Sequence, residues 1–314
     1  MNKLQLYLYP SAAPMLHDSI LWYRNTVPFC QEGIEKWCDL VGPRRCEFFH
    51  MGMVREFDAA PFPTWKFWEF SARPGKHIVD LEGDYVEGTF REEFRGAIRV
   101  ASGAPHRWSG AGTIFPRPCM SRMMMEFWKD KTVALPPAKE PAMGFVGKRE
   151  RYGVRQKLVS QLQGLGIPAH FAVNDDWNSP SEPNAPSRQV YLNNMRDCSV
   201  ALCPQGVGVN TSRFYEACCL GRFPVIIGQT LIPGEDLFDR SFVREIDSKL
   251  EPDRLRDELV EVAQMPLSEM QERGRAARGY WEKVIAPYLD DPTLSFIQWL
   301  ERQGLRDGVP EEAQ

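Results

Sequence analysis

Between Tyr191 and Gly228 the chain reads YLNNMRDCSVALCPQGVGVNTSRFYEACCLGRFPVIIG, which is strand, glycine turn, helix, glycine and strand in immediate succession. SVALC is a short apolar run suited to a buried strand, and FPVIIG after the helix is a second one, with Pro224 near its start. Strands that alternate with helices in this way commit the chain to a parallel α/β sheet with crossovers. In the intervening PQGVGVNTS loop, Gly206 and Gly208 let backbone come close to a ligand. SRFYEACCL then begins a helix with Thr211 or Ser212 as its N-cap and Gly221 at its end. Unpaired N–H groups and the positive end of the helix dipole at that start favour an anion such as a phosphate. Arg213 and Glu216, three residues apart, share one face of the first turn.

Glycine turns between strands and helices occur in any α/β protein, and Arg213 with Glu216 also suits a simple surface pair. The loop has no GxxxxGK[ST] run and lacks the third glycine of G-x-G-x-x-G, so nucleotide-triphosphatase and dinucleotide readings lose ground.

The string CPQGVGVNTSRFYEACCLGRFPVII resembles the C-terminal signature of the exostosin family of glycosyltransferases, C-P-x-G-x-G-x-x-S-x-R-x-x-E-A-x-x-x-G-x-x-P-V-I-I, at every fixed position. MGFVGKRERYGVRQKLVSQL at 143–162 is similar to the strand and arginine-bearing helix that open that family's C-terminal domain. No motif of the family stands in the first 140 residues. The resemblance implies α/β fold class with GT-B architecture, meaning two Rossmann-like domains with a cleft between them and a C-terminal helix crossing back. It assigns 1–138 to an acceptor domain, 139–290 to a nucleotide-sugar-binding domain, and 291–314 to the returning helix and tail. The implied donor is a UDP- or GDP-linked sugar, bound as substrate with no cofactor, and the implied acceptor is a glycan or glycoconjugate.

Length accords with two domains: 314 residues exceed a typical single domain. A formal charge of −4 lacks the basic excess of a nucleic-acid binder, so any anion site is local. The apolar N-terminal stretch, broken by Gln5 and Pro10, is too short for a signal core, and no run approaches a membrane span. A cytoplasmic, bacterial or phage-like soluble enzyme is the resulting expectation, with peripheral membrane association left open. Eight cysteines without a CxxC pair, several in apolar segments, read as reduced buried thiols.

Strands are expected at 4–9, 45–52, 76–85, 95–103, 143–147, 169–173 and 239–246. Helices are expected within 18–41 and at 153–166 and 252–265, a proline-rich linker at 130–142, a surface loop at 175–187, and an apolar-faced helix at 294–304. Lys148, Arg149 and Arg155 follow the strand FVG, where open α/β sheets bind ligands, and a planar guanidinium suits pyrophosphate. The expected donor-binding set is therefore Lys148, Arg149, Arg155, Gly206, Gly208, Asn210, Ser212, Arg213 and Glu216. By the resemblance, Arg213 meets phosphate and Glu216 accepts from ribose or sugar hydroxyls; the rival role for Glu216 is structural, bracing the loop.

An inverting transfer also needs a base for the acceptor hydroxyl. Asp84 and Glu82 in LEGDY, and His50 at a strand end, are the candidates, with Asp80 behind them. His106, beside Arg107 and Trp108, suits acceptor binding, whereas Trp65, Phe67, Trp68 and Phe70 read as core. Arg117 lies between two prolines in IFPRPCMSR, which reads as a rigid loop. No D-x-D motif or histidine cluster marks a metal, so protein cations are expected to neutralise the leaving group. Two alternatives stay open: a sugar-nucleotide-binding protein with epimerase-like chemistry, and an inactive partner in a glycan-synthesis complex, against which the intact S-x-R-x-x-E counts.

Overall fold

The structure is a computed structural model that describes residues 4–9, 46–50, 76–81, 98–101, 114–119, 121–148, 154–163, 169–174, 186–205, 210–228, 231–234 and 237–303. It divides into two compact units, Met1–Arg117 with Pro287–Gln314, and Pro118–Ala286.

The first unit is built on β1 (Leu4–Tyr9), β2 (Cys46–His50), β3 (Lys76–Leu81), β4 (Ile98–Ala101) and β5 (Ile114–Pro116), all parallel, in the order β2-β1-β3-β4-β5. Four of these strands lie where the apolar runs place them. The fifth falls in IFPRPCMSR, read from sequence as loop: three residues are too few to show alternation, and Pro116 can close only an edge strand because it has no N–H to donate. Arg117, just beyond, is buried.

The second unit contains α1 (Arg122–Lys129), β6 (Met143–Lys148), α2 (Val154–Gln163), β7 (Ala169–Asn174), α3 (Pro186–Asp197), β8 (Val200–Pro204), α4 (Ser212–Leu220), β9 (Phe223–Ile227), β10 (Arg244–Ile246), α5 (Pro252–Gln264) and α6 (Leu267–Tyr280). Its sheet is also all parallel, in the order β10-β9-β8-β6-β7. Counted within the unit this is 2-1-3-4-5, the order of the first unit. Phe145, Val200, Leu202, Val225 and Ile227 from the strands pack with Leu158, Leu162, Leu255, Leu259 and Met270 from the helices. Every residue of β8 and β9 is buried, as uninterrupted apolar runs require in a sheet covered on both faces. Gly221 ends α4 at φ 72°, the left-handed conformation that closes the helix without a Cβ penalty.

The stretch 239–246 forms a strand only at Arg244–Ile246. Asp239 accepts from the Ser241 N–H at 3.0 Å and starts a 3₁₀ turn over Arg240–Phe242, a local side-chain bond that competes with the ladder.

The proline-rich stretch expected as a linker at 130–142 is instead strapped along the second unit. Proline removes N–H groups but leaves carbonyls, and those carbonyls collect donors: Arg278 Nη1 to Thr132 O at 3.0 Å, Arg222 Nη2 to Pro136 O at 3.0 Å, and Gln271 Nε2 to Ala138 O at 2.9 Å. Leu135 N–H adds a bond to Leu220 O at 2.9 Å.

After α6 the helix continues through a π-helical turn, Trp281–Ile285, into α7 (Ala286–Asp290) and α8 (Pro292–Arg302). Phe296 and Trp299 of α8 pack on Phe115 of β5, with ring centroids 5.0 and 5.1 Å apart, so the chain's last helix docks on the first unit. Segments 18–41 and 62–70, read as helix and aromatic core, lie outside the described residues, as do 175–185 of the expected surface loop.

Candidate functional site

In a 2-1-3-4-5 sheet the connections leave in opposite directions from the first and third strands, and the crevice at their carboxyl ends is where open α/β sheets take ligands. In the second unit those strands are β6 and β8. They pair over Met143–Val200 and Gly144–Ala201, and beyond those two pairs no ladder joins them.

Arg213 fills that gap. Its Nε donates to Leu202 O at 2.9 Å, and its Nη2 donates to Gly144 O at 3.0 Å and to Asn194 Oδ1 at 2.7 Å. Asn194 in turn donates from Nδ2 to His170 O at 2.7 Å, so one side-chain chain ties β7, β6 and β8 together. The guanidinium lies 5.7 Å from the ring centre of Phe145 and 4.9 Å from that of Tyr191. Arg213 is 4% exposed, and its Nη1 is buried without a hydrogen-bond partner among the described residues. Leu202 and Gly144 both stop short of their strands' carboxyl ends, so the guanidinium forms the floor beneath the crevice.

Glu216 lies one turn further along α4 and is 5% exposed. Its Oε1 accepts from Ser121 Oγ at 2.5 Å, and its Oε2 accepts from the Tyr191 hydroxyl. Burial first, and the Glu216 charge second, hold the Tyr191 phenol well above its ordinary pKa, so it remains a proton donor. Both side chains read as ligand contacts thus have internal partners, those of Glu216 coming from the cap of α1 and from α3. Asn210 is likewise engaged: its Nδ2 donates to Tyr215 Oη at 2.8 Å and its Oδ1 accepts the Thr211 N–H at 2.8 Å.

These bonds pin the start of α4 at both sides, and among the described residues no side-chain cap closes it. Thr211 is the N-cap, in extended conformation, and its side chain makes no capping bond. Thr211 and Ser212 are partly exposed where Asn210 and Arg213 are buried.

Arg155, in the first turn of α2, lies 5.7 Å from the Phe145 ring centre, the ring that also carries Arg213. The structure therefore brings these two sequence-predicted arginines together around one side chain of β6. Lys148 ends β6 on the same crevice, while Arg149, Gly206 and Gly208 lie outside the described residues. In the first unit His50 ends β2 and Asp80 is the penultimate residue of β3, whose carboxyl end borders that sheet's own switch point between β1 and β3. Glu82, Asp84 and His106 lie outside the described residues.

Three site residues were missed from sequence: Ser121, Tyr191 and Asn194. The last two stand three apart in α3, on one helical face, and that spacing was the available signal. Ser121 caps α1 by accepting from Met124 N at 3.0 Å, a local role that gives no hint of its bond to Glu216.

Close approach of α3 to β6 rests on Gly144. A Cβ there would lie 2.4 Å from Cys198 Sγ and 2.7 Å from Asn194 Oδ1. Gly144→Ala is expected to cost about 1–3 kcal/mol by overpacking and to push Asn194 off Arg213, read as a lowered urea midpoint.

The described cysteines, Cys119, Cys198, Cys203, Cys218 and Cys219, are free. Burial raises the pKa of Cys203 to about 12 and of Cys198 to about 11, so the thiols beside the site stay protonated. Among the described residues no group of three or more His, Cys, Asp or Glu side chains is placed to hold a metal ion, and no helix is long and apolar enough to cross a membrane.

Residues 127–235 match the family model of the RXYLT1 C-terminal domain, an exostosin-like domain. The matched segment, roughly a third of the chain, runs from α1 through the start of α4 to the loop after β9. Among solved structures, the chain is similar to the GtfA/B complex (10% identity, TM-score 0.41, 82% of this chain and 58% of that one). It is similar also to a glycosyltransferase from Rickettsia africae (9%, 0.43, 98% and 99%) and to the lipopolysaccharide outer core galactosyltransferase WaaB (10%, 0.41, 94% and 99%). The chain thus spans under two thirds of the first of these. No curated protein matches it. Two parallel α/β units with a last helix on the first unit are the fold class that the GT-B resemblance implies.

Proposed function

We propose that this chain is a glycosyltransferase that moves a sugar from a nucleoside diphosphate to a glycan or related acceptor, with inversion and without a metal ion. The observation that carries this reading is the open N-terminus of α4 at the carboxyl side of the β6/β8 switch point, inside the segment that matches an exostosin-like domain. A pyrophosphate seated there meets unpaired backbone N–H groups and the positive end of the helix. Arg155 adds charge beside the same strand, which Lys148 ends, and the unsatisfied Nη1 of Arg213 is a donor left for a phosphate oxygen. These groups neutralise the leaving nucleoside diphosphate as the bond to the sugar breaks. An acceptor hydroxyl attacks the opposite face and a general base takes its proton; Asp84, Glu82 and His50 are the candidates.

The test is a thermal-shift screen with UDP, GDP, CDP and ADP, repeated in EDTA. One diphosphate is expected to raise the melting temperature, by an amount that chelation leaves unchanged. If none shifts it, the donor-site reading fails; if a shift appears only with added magnesium or manganese, metal independence fails.

A further inference from the structure

We propose, on the footing of the donor site above, that Tyr191 and Ser121 are positioning residues that hold the Glu216 carboxylate for a ribose hydroxyl of the bound nucleotide. Glu216 is a buried carboxylate with which, among the described residues, no cation forms an ion pair. Arg213, three residues away, spends its bonds on Leu202 O, Gly144 O and Asn194. Two neutral hydroxyls hold the carboxylate instead, one on each oxygen, and they come from α3 and from the cap of α1 rather than from α4 itself.

Each hydroxyl is itself fixed. Ser121 Oγ accepts the Met124 N–H at 3.0 Å, which commits its own proton to Glu216. The Tyr191 ring is clamped by the Arg213 guanidinium at 4.9 Å. A carboxylate offers about four lone-pair positions, and two donors leave the others for a ligand. Neutral donors leave the carboxylate its charge, and a hydrogen bond from a further hydroxyl to a charged oxygen is a strong one. A ribose lies next to the pyrophosphate that the helix start would hold, one turn from Glu216.

The test is a double-mutant cycle on calorimetric binding of UDP, GDP, CDP and ADP to the full chain. Tyr191→Phe and Glu216→Gln are each expected to weaken the diphosphate bound by wild type roughly tenfold, the usual cost of a hydrogen bond to a charged group. The double variant is expected to bind no more weakly than Glu216→Gln alone, because Tyr191 acts through Glu216. Losses that add, with wild-type binding intact, overturn the positioning role and leave the donor site standing. Absence of binding by wild type overturns the donor site itself. Should Tyr191→Phe not fold, Ser121→Ala takes its place in the cycle. Ser121→Thr, which keeps the hydroxyl, is then expected to restore binding, and equal weakening by both Ser121 variants counts against the proposal.

Discussion

Arg213→Ala is expected to lower the stability of the second unit by roughly 3–5 kcal/mol, read as a fall in the urea midpoint of the full chain. Three bonds from a charged donor disappear together, and two of their acceptors, Leu202 O and Gly144 O, are main-chain carbonyls on the two strands at the point where their pairing ends. The guanidinium also leaves a gap between the rings of Phe145 and Tyr191. Arg213→Lys is expected to recover less than half of the loss, since one ammonium cannot fork to Leu202 O, Gly144 O and Asn194 Oδ1 at once. A urea midpoint unchanged in Arg213→Ala would remove the structural role. The same variant, held well below its melting temperature, separates that role from phosphate binding: a lost response to nucleoside diphosphate with a folded second unit isolates the contribution of Nη1.

This dual demand explains what the sequence could and could not disclose. The strands were legible because each is a continuous apolar run bounded by polar or turn residues; LQLYLY, KHIVDL and FPVII are each confined by such flanks. The helix SRFYEACCL and its glycine stop were legible from N-cap and C-cap chemistry, which is local. By contrast α1, α3 and the strap at 130–142 were missed. Prolines and polar residues in 130–142 look like linker, and only the tertiary donors Arg222, Gln271 and Arg278 turn their carbonyls into anchors. The site divides in the same way. That the start of α4 suits an anion follows from backbone chemistry and could be read directly. That Arg213 turns inward to mend a split ladder, and that Glu216 is held by Ser121 and Tyr191, depends on partners between 11 and 95 residues away, and no spacing rule reaches so far.

Arg222→Ala is expected to cost about 2–4 kcal/mol and to loosen α3 in particular. Arg222 is 2% exposed, and burial lowers its pKa, yet its guanidinium is placed to make three bonds to carbonyl oxygens. Nε donates to Met195 O at 2.7 Å, and Nη2 donates to Arg196 O and Pro136 O, both at 3.0 Å. Met195 and Arg196 lie in the last turn of α3, whose carbonyls have no partners within the helix and carry its negative dipole end. A buried cation there caps the helix and binds the proline strap with the same group. Removing it frays α3 from the end that carries Asn194 and, one turn earlier, Tyr191, so the frame around Arg213 and Glu216 loosens with it. Arg222→Met, which refills the apolar volume without the donors, is expected to recover only the packing share of the loss. Hydrogen exchange reads the consequence directly: the amides of 191–197 are expected to exchange markedly faster in Arg222→Ala while those of β9 change little. Unchanged protection in α3 would mean that the helix end is held by its packing and not by this arginine.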